Sequence, residues 1–281
     1  MLEQLAELFP ELTKSQKKLA AYITDNSDEI LLHNSFDLAR KVGVSEATVS
    51  RFVRRLGFSS YLEFKKSLIR TTLDGYSTIK RLAESSDAIE NRELIAQNVH
   101  ASDIENIQKI RSDNTDATFE KVVGKICSAR TIYILGLRSS YALAYYLSFN
   151  LRFFLKNVVR IEPGVGDLPE QLVHAGPADL LFVISFKRYT QESVVIARRL
   201  KAMGLSVVSL VDSKLSPVAA LANASLIAGT GIPSYFESYT AAMSLLNGLI
   251  AAVVLHKEEQ AIPALERLEK VFEEFQTFHP I

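Results

Sequence analysis

The sequence predicts two domains, an all-α domain followed by an α/β domain with a doubly wound, parallel, five-stranded sheet. Three observations lead there. The chain has 281 residues and 48% hydrophobic content, enough for two separate cores. Up to about residue 128 its apolar positions recur at helical spacing, whereas from Thr131 they come as short β-branched runs alternating with helical patterns. In the stretch Ser35 to Phe58, Gly43 and Ser45 interrupt the helical period between two short amphipathic segments.

At the start of the chain Leu2, Leu5, Leu8 and Phe9 make a short apolar face that Pro10 ends. Thr13 is placed to cap the next helix, with Leu19, Ala20, Tyr22 and Ile23 inward and an end near Asn26. Leu38, Ala39 and Val42 then form one apolar face, Gly43 supplies the positive φ of a tight turn, and Ser45 caps a second helix carrying Val49, Phe52, Val53 and Leu56. This is a helix-turn-helix pattern. Ser59 or Ser60 caps a further helix through Tyr61, Leu62, Phe64, Leu68 and Ile69, so residues 1–75 read as one all-helical domain.

The outer face of the second helix is suited to nucleic acid. Between positions 40 and 70, Arg40, Lys41, Arg51, Arg54, Arg55, Lys65, Lys66 and Arg70 face only Glu46 and Glu63, in a chain whose net charge is zero. Such a local excess neutralises phosphates. Ser45, Glu46, Ala47 and Thr48 lie at the amino end, the part of a recognition helix that meets base edges; Ser50, Arg51, Arg54 and Arg55 continue the same polar side. Double-stranded operator DNA is the expected partner.

Residues 76–128 are charged, with periodic Ile79, Leu82, Leu94, Ile95, Val99, Ile104, Ile107 and Ile110, and then Phe119, Val122, Val123 and Ile126 after a turn at 111–115. They are expected as a helical connector, packed between domains or across a dimer. From 129 to 281 the runs TIYILGL, VVRIEP, DLLFVISF, SVVSLVD and ASLIAG read as buried parallel strands, with helices at 141–154, 168–173, 190–203 and from about Phe236 to Leu255. A flavodoxin-like strand order 2-1-3-4-5 is expected, with ligands beyond the carboxyl ends of the strands. The loops there are Gly136-Leu137-Arg138-Ser139-Ser140 and Ser185-Phe186-Lys187-Arg188-Tyr189-Thr190. Each leads into a helix, so hydroxyls, backbone N–H groups and cationic side chains converge on a place suited to an anion.

GLRSS, SFKRYT and then DSKLSP before ANASL, joined to a helix-turn-helix of this form, resemble the RpiR family of bacterial transcriptional regulators, whose carboxyl-terminal half is a SIS (sugar isomerase) domain. The resemblance spans nearly the whole chain. It implies a homodimer or homotetramer that binds operator DNA through the first domain and a phosphorylated sugar or related metabolite through the second. The family's first loop carries a second glycine where Arg138 stands; in its second loop an inner serine and a glycine are replaced by Lys187 and Arg188. Two readings follow: the basic side chains bind a small anion other than the family's sugar phosphate, such as a carboxylate, or they fill the pocket of a domain that only oligomerises. Arg138, Ser139, Ser140, Ser185, Lys187, Arg188, Thr190, Ser234 and Glu237 are the expected effector-binding residues, with Ser216-Pro217 and the Pro233-Ser234 turn placed at the rim.

Other classes find less support. Cys127 is the only cysteine and the five histidines share no ligand spacing, so neither disulfide nor metal site nor cofactor is expected. For a sugar-phosphate isomerase the available acid–base groups are Glu162, Glu237 and His174, in no catalytic pattern; no enzyme activity is expected. No apolar run reaches membrane-spanning length and the first residues do not form a secretory leader, so a soluble cytoplasmic protein is expected. Residues 264–278 are amphipathic through Leu265, Leu268, Val271, Phe272 and Phe275, a closing helix against the sheet or a partner subunit.

Overall fold

The computed structural model describes residues 12–25, 33–74, 78, 81–82 and 94–279, and the chain divides into two units, Met1–Glu84 and Ser85–Ile281. The apolar face expected at 2–9 lies outside the described residues.

In the first unit, Thr13 starts α1 (Lys14–Asp25) by a capping box: its Oγ1 accepts from Gln16 N at 3.4 Å and Gln16 Oε1 accepts from Thr13 N at 3.1 Å. Helix α2 (Ser35–Val42) is capped by Asn34, whose Oδ1 accepts from Asp37 N at 2.9 Å, and it stops at Gly43, where φ is +71°. That left-handed conformation costs glycine nothing because it has no Cβ. Ser45 caps α3 (Glu46–Arg55) by accepting from Thr48 N at 3.2 Å, and Ser60 caps α4 (Tyr61–Asp74) by accepting from Glu63 N at 3.1 Å. Leu19, Ile23, Leu38, Val49, Phe52, Val53, Leu56 and Phe64 are buried together. At about 1.5–3 kcal/mol for each buried large side chain, this cluster holds the helix pair in place.

The second unit opens with α5 (Ile95–Asp113) and α6 (Asp116–Ser128), the latter capped by Thr115, whose Oγ1 accepts from Thr118 N at 3.2 Å. The strands are β1 (Ile132–Gly136), β2 (Val158–Arg160), β3 (Leu180–Ser185), β4 (Ser206–Val211) and β5 (Ala224–Ile227). All pair in parallel in the order β2-β1-β3-β4-β5, the order the sequence predicts. The helices between and after them are α7 (Tyr141–Leu151), α8 (Leu168–Leu172), α9 (Gln191–Ala202), α10 (Thr240–His256) and α11 (Glu258–Glu274).

Strand residues alternate between two cores. Ile132, Ile134, Leu180, Phe182, Val208 and Leu210 face α6, α7 and α10, whereas Tyr133, Leu135, Leu181, Val183 and Val207 face α9 and the Leu168–Leu172 turn. The period of two along each strand thus feeds both layers. Val122, Val123 and Ile126, expected in a connector, belong to the first of these cores.

Some helix limits differ from expectation. α7 ends at Leu151, and α10 begins at Thr240, which leaves Phe236 exposed before it. In α11 only Ala261 is buried, while Val271 and, just past the end of the helix, Phe275 are exposed. No single helix among the described residues is long and apolar enough to cross a membrane.

At the amino ends of the strands the Asp179 carboxylate is a staple. It accepts from Arg130 Nε at 2.9 Å and Nη2 at 2.7 Å, from Thr131 N at 3.1 Å and from Gly176 N at 2.8 Å. Those bonds fix the opposite edge of the sheet from the one that carries the basic loops.

Candidate effector site and DNA-binding helix

On α3 the apolar side is consumed by the core, with Val49, Phe52 and Val53 buried. Ser45, Glu46, Ser50, Arg51, Arg54 and Arg55 are exposed, and Thr48 is half-buried. All seven therefore lie at or beyond the solvent side of one helix. The amino end is ordered by two short bonds and a long one: Ser45 Oγ and Thr48 Oγ1 are 2.8 Å apart, Ser35 Oγ donates to Glu46 Oε1 at 2.5 Å, and Arg51 Nη2 donates to Thr48 Oγ1 at 3.5 Å.

In the second unit a cavity of about 460 Å³ opens at the carboxyl ends of β1 and β3. It is lined by Arg138, Ser139, Ser140, Ser185, Lys187, Arg188, Thr190 and Glu237, eight of the nine residues the sequence assigns to an effector. The ninth, Ser234, is not among the lining residues, and neither is Ser216, whose buried hydroxyl accepts from Val218 N. Sheet topology brings the eight together: with β1 beside β3, the loops after those strands are neighbours although about 50 residues separate them.

Gly136 sets the first loop. A Cβ there would stand 2.6 Å from Ser140 O and 2.8 Å from Ala144 Cβ, so the turn into α7 passes as closely as it does only because the side chain is absent. Arg138 then takes φ +54° within a short 3₁₀ turn, and in the second loop Arg188 takes φ +63°. Left-handed φ in a non-glycine residue costs roughly 1–2 kcal/mol. These are two of the three described non-glycine residues with positive φ, and both stand at the same cavity. At both positions the resemblance implies glycine, the residue a left-handed φ suits best, and this chain places a guanidinium there.

The remaining groups orient the walls. Thr190 precedes α9, and its hydroxyl pairs with Ser193 Oγ at 2.6 Å instead of capping a backbone N–H. Tyr189 donates to Asp212 Oδ1 at 2.9 Å, just beyond β4. Burial pushes the Asp212 carboxyl above the usual carboxylate range, against the opposing pull of the Tyr189 bond and the Lys187 charge. Tyr239, also lining the cavity, lies 2.8 Å through its hydroxyl from Ser139 Oγ, with its ring 5.0 Å from that of Phe186. Burial raises its phenol, opposed by hydrogen bonds with Ser139 and Ser140. Tyr239, Phe186, Gln191, Glu192 and Ser193 were not marked by the sequence, and no local pattern distinguishes them.

Of the groups nominated for acid–base chemistry, only Glu237 lines the cavity. Glu162 pairs with Arg160 and accepts from Tyr141 Oη, and His174 is exposed, its carbonyl accepting from Arg130. Among the described residues no cluster of His, Cys, Asp and Glu is arranged to hold a metal ion.

Fold and site thus define a helix-turn-helix domain joined to a doubly wound domain with a polar cavity at its strand ends. The family profile of the helix-turn-helix domain, rpiR family, matches residues 1–73, and that of the SIS domain matches residues 125–252. The chain belongs to the RpiR family and is an RpiR-type transcriptional regulator with a SIS domain.

Among its relatives, the HTH-type transcriptional regulator HexR of Pseudomonas aeruginosa is 26% identical over 277 residues, covering 96% of this chain and 94% of that protein. The sugar isomerase domain of an RpiR transcription factor from Sphaerobacter thermophilus is 25% identical with a TM-score of 0.60, covering 63% of this chain and 99% of that one. Vibrio vulnificus NanR, solved in complex with ManNAc-6P, has a TM-score of 0.57 at 20% identity over 98% of both chains, and shares the fold.

Proposed function

We propose that this regulator binds operator DNA through α3 and, through its SIS domain, a small anionic metabolite, a sugar phosphate or a related carbohydrate-derived compound, whose binding changes the affinity for DNA. The observation that carries this reading is the pair of left-handed arginines, Arg138 and Arg188, at one polar cavity. Backbone strain of that kind persists where a function uses it. Ser139, Ser140, Ser185, Lys187 and Thr190 supply further donors from the helix starts, and Glu237 supplies an acceptor for a ligand hydroxyl. A sugar phosphate is the leading candidate, because NanR of similar fold was solved with ManNAc-6P.

Ser45, Glu46, Thr48 and Ser50 read base edges in this proposal, and Arg51, Arg54 and Arg55 hold phosphates. The protein acts in the cytoplasm as a homodimer or homotetramer. A two-fold arrangement requires a near-palindromic operator with half-sites about one helical turn, or a multiple of it, apart. By linkage, the effector and DNA alter each other's affinity by the same factor.

The experiment is a binding titration of the full-length protein on DNA from beside its own coding region, with a panel of phosphosugars and small carboxylates. A compound that shifts specific binding upholds the regulator and names its ligand. Specific binding that no compound shifts makes the SIS domain an oligomerisation platform, and turnover of a phosphosugar without DNA binding makes the protein an isomerase.

A further inference from the structure

Helix α5 shows an inversion of the usual pattern. Its apolar Ile104 is 57% exposed, while Asn106 is 8% exposed. Asp103, Asn106, Ile110 and Asn114 follow one another at intervals of three, four and four, one stripe along the helix and its end. The three polar members all bond to the stretch that runs from the last residue of β5 to the first residue of α10.

Asn114 Oδ1 accepts from Ile227 N at 2.7 Å and its Nδ2 donates to Ile227 O at 2.8 Å, pairing with the edge strand β5 as a neighbouring strand would. Asn106 Nδ2 donates to Gly231 O at 2.8 Å, and a Cβ on Gly229 would stand 2.7 Å from Asn106 Oδ1. Asp103 accepts from Ser238 Oγ at 2.5 Å and from Thr240 Oγ1 at 2.9 Å. Between the last two partners lies Tyr239, which reaches Ser139 in the first basic loop and Phe186 in the second. Asn106 and Asn114 are buried and Asp103 is half-buried, and polar groups bonded in this way fix register, because any slip leaves their partners unpaired.

We infer that α5 is the element that reads the cavity: Asp103 positions Tyr239, and through that contact an anion held by the two basic loops shifts α5, the first described long helix after the DNA-binding unit in the chain. The inference rests on the anion-binding reading above. Asp103 is a positioning residue and touches no ligand. It couples two states of the 228–240 segment to the helix.

The test is hydrogen–deuterium exchange on the full chain, free and with inorganic phosphate at constant ionic strength, for the wild type, Asp103→Ala and Asp103→Asn. In the wild type, phosphate slows exchange in 137–140, 186–190 and 228–239 and also along 95–113. In Asp103→Ala the two loops still respond but α5 does not, and Asp103→Asn, which keeps one acceptor, restores part of the response. Protection of the wild-type loops with no change in α5 overturns the inference and leaves the anion site standing.

If phosphate protects neither loop, the anion reading fails, and the inference is decided without ligand. Asp103→Ala must then raise exchange about tenfold at 228–239 and also at 137–140. An effect confined to 228–239 overturns it.

Discussion

The Tyr189 hydroxyl donates to Asp212 Oδ1 at 2.9 Å, which ties the loop after β3 to the end of β4, while Oδ2 of the same carboxylate is buried with no hydrogen-bond partner among the described residues. A carboxyl held this way prefers its proton, and its folded pKa is raised. The folded state therefore binds more protons than the unfolded state over the interval between the ordinary and the raised value, and stability falls as pH rises through that interval. Asp212→Asn removes the penalty and keeps an acceptor for Tyr189. Thermal unfolding should show the variant more stable than wild type at pH 7, with the difference shrinking toward pH 4.

Asp179 has the opposite sign. Its bond to Arg130, with further bonds from Gly176 N and Thr131 N, holds its pKa below the ordinary value. Its stabilisation is present above the unfolded pKa and is lost as pH falls through the folded one. Asp179→Ala should destabilise by roughly 2–3 kcal/mol at pH 7 in denaturant unfolding, and the difference should close in acid. Arg130→Ala should cost less, because Arg130 is 56% exposed and the two backbone donors remain.

The arginines in the basic loops separate binding from folding. In Arg138→Gly and Arg188→Gly, relief of the left-handed strain offsets the greater chain entropy of glycine, so stability should stay within about 1 kcal/mol of wild type. Affinity for the effector should fall about tenfold or more in each, as loss of a charged hydrogen bond predicts. Calorimetric titration beside a melting curve checks both halves.

Gly136→Ala tests the close passage into α7. With Ser140 O and Ala144 Cβ both nearer than a methyl group tolerates, the variant should lose about 1–3 kcal/mol, measured by urea unfolding, and should open the first basic loop.

On α3, Arg51→Ala and Arg54→Ala leave the core untouched, since both side chains are exposed. Each should weaken operator binding and lower the slope of log affinity against log salt by about one, with an unchanged melting temperature. A salt series of binding titrations reads this directly.

Much of this was legible beforehand, for a physical reason. Caps such as Thr13, Ser45 and Ser60 act on N–H groups three residues away, and Gly43 answers a demand of its own φ, so each carries its signal locally. The period of two in Ile132–Gly136 or Leu180–Ser185 likewise states which side chains face which layer. Placing Ser234 at the rim rested on position alone, and the cavity does not include it. The apolar spacing in α5 marked a helix but not how it docks: Ile104 and Ile107 are exposed, and the bonds that hold the helix to the end of β5 and the start of α10 come from two amides and a carboxylate.

By itself the sequence determined two domains, the helix-turn-helix, the parallel strands and the basic loops, since all of these follow from forces acting over a few residues or from apolar periodicity. Only the tertiary structure decided that Tyr239 meets Ser139, that Asp103 meets Ser238 and that Asn114 closes the edge of β5, contacts spanning 100, 135 and 113 residues. Strand order brings these partners together after the chain has travelled around the sheet, and a hydroxyl or an amide gives no sign of its distant partner in its own neighbourhood.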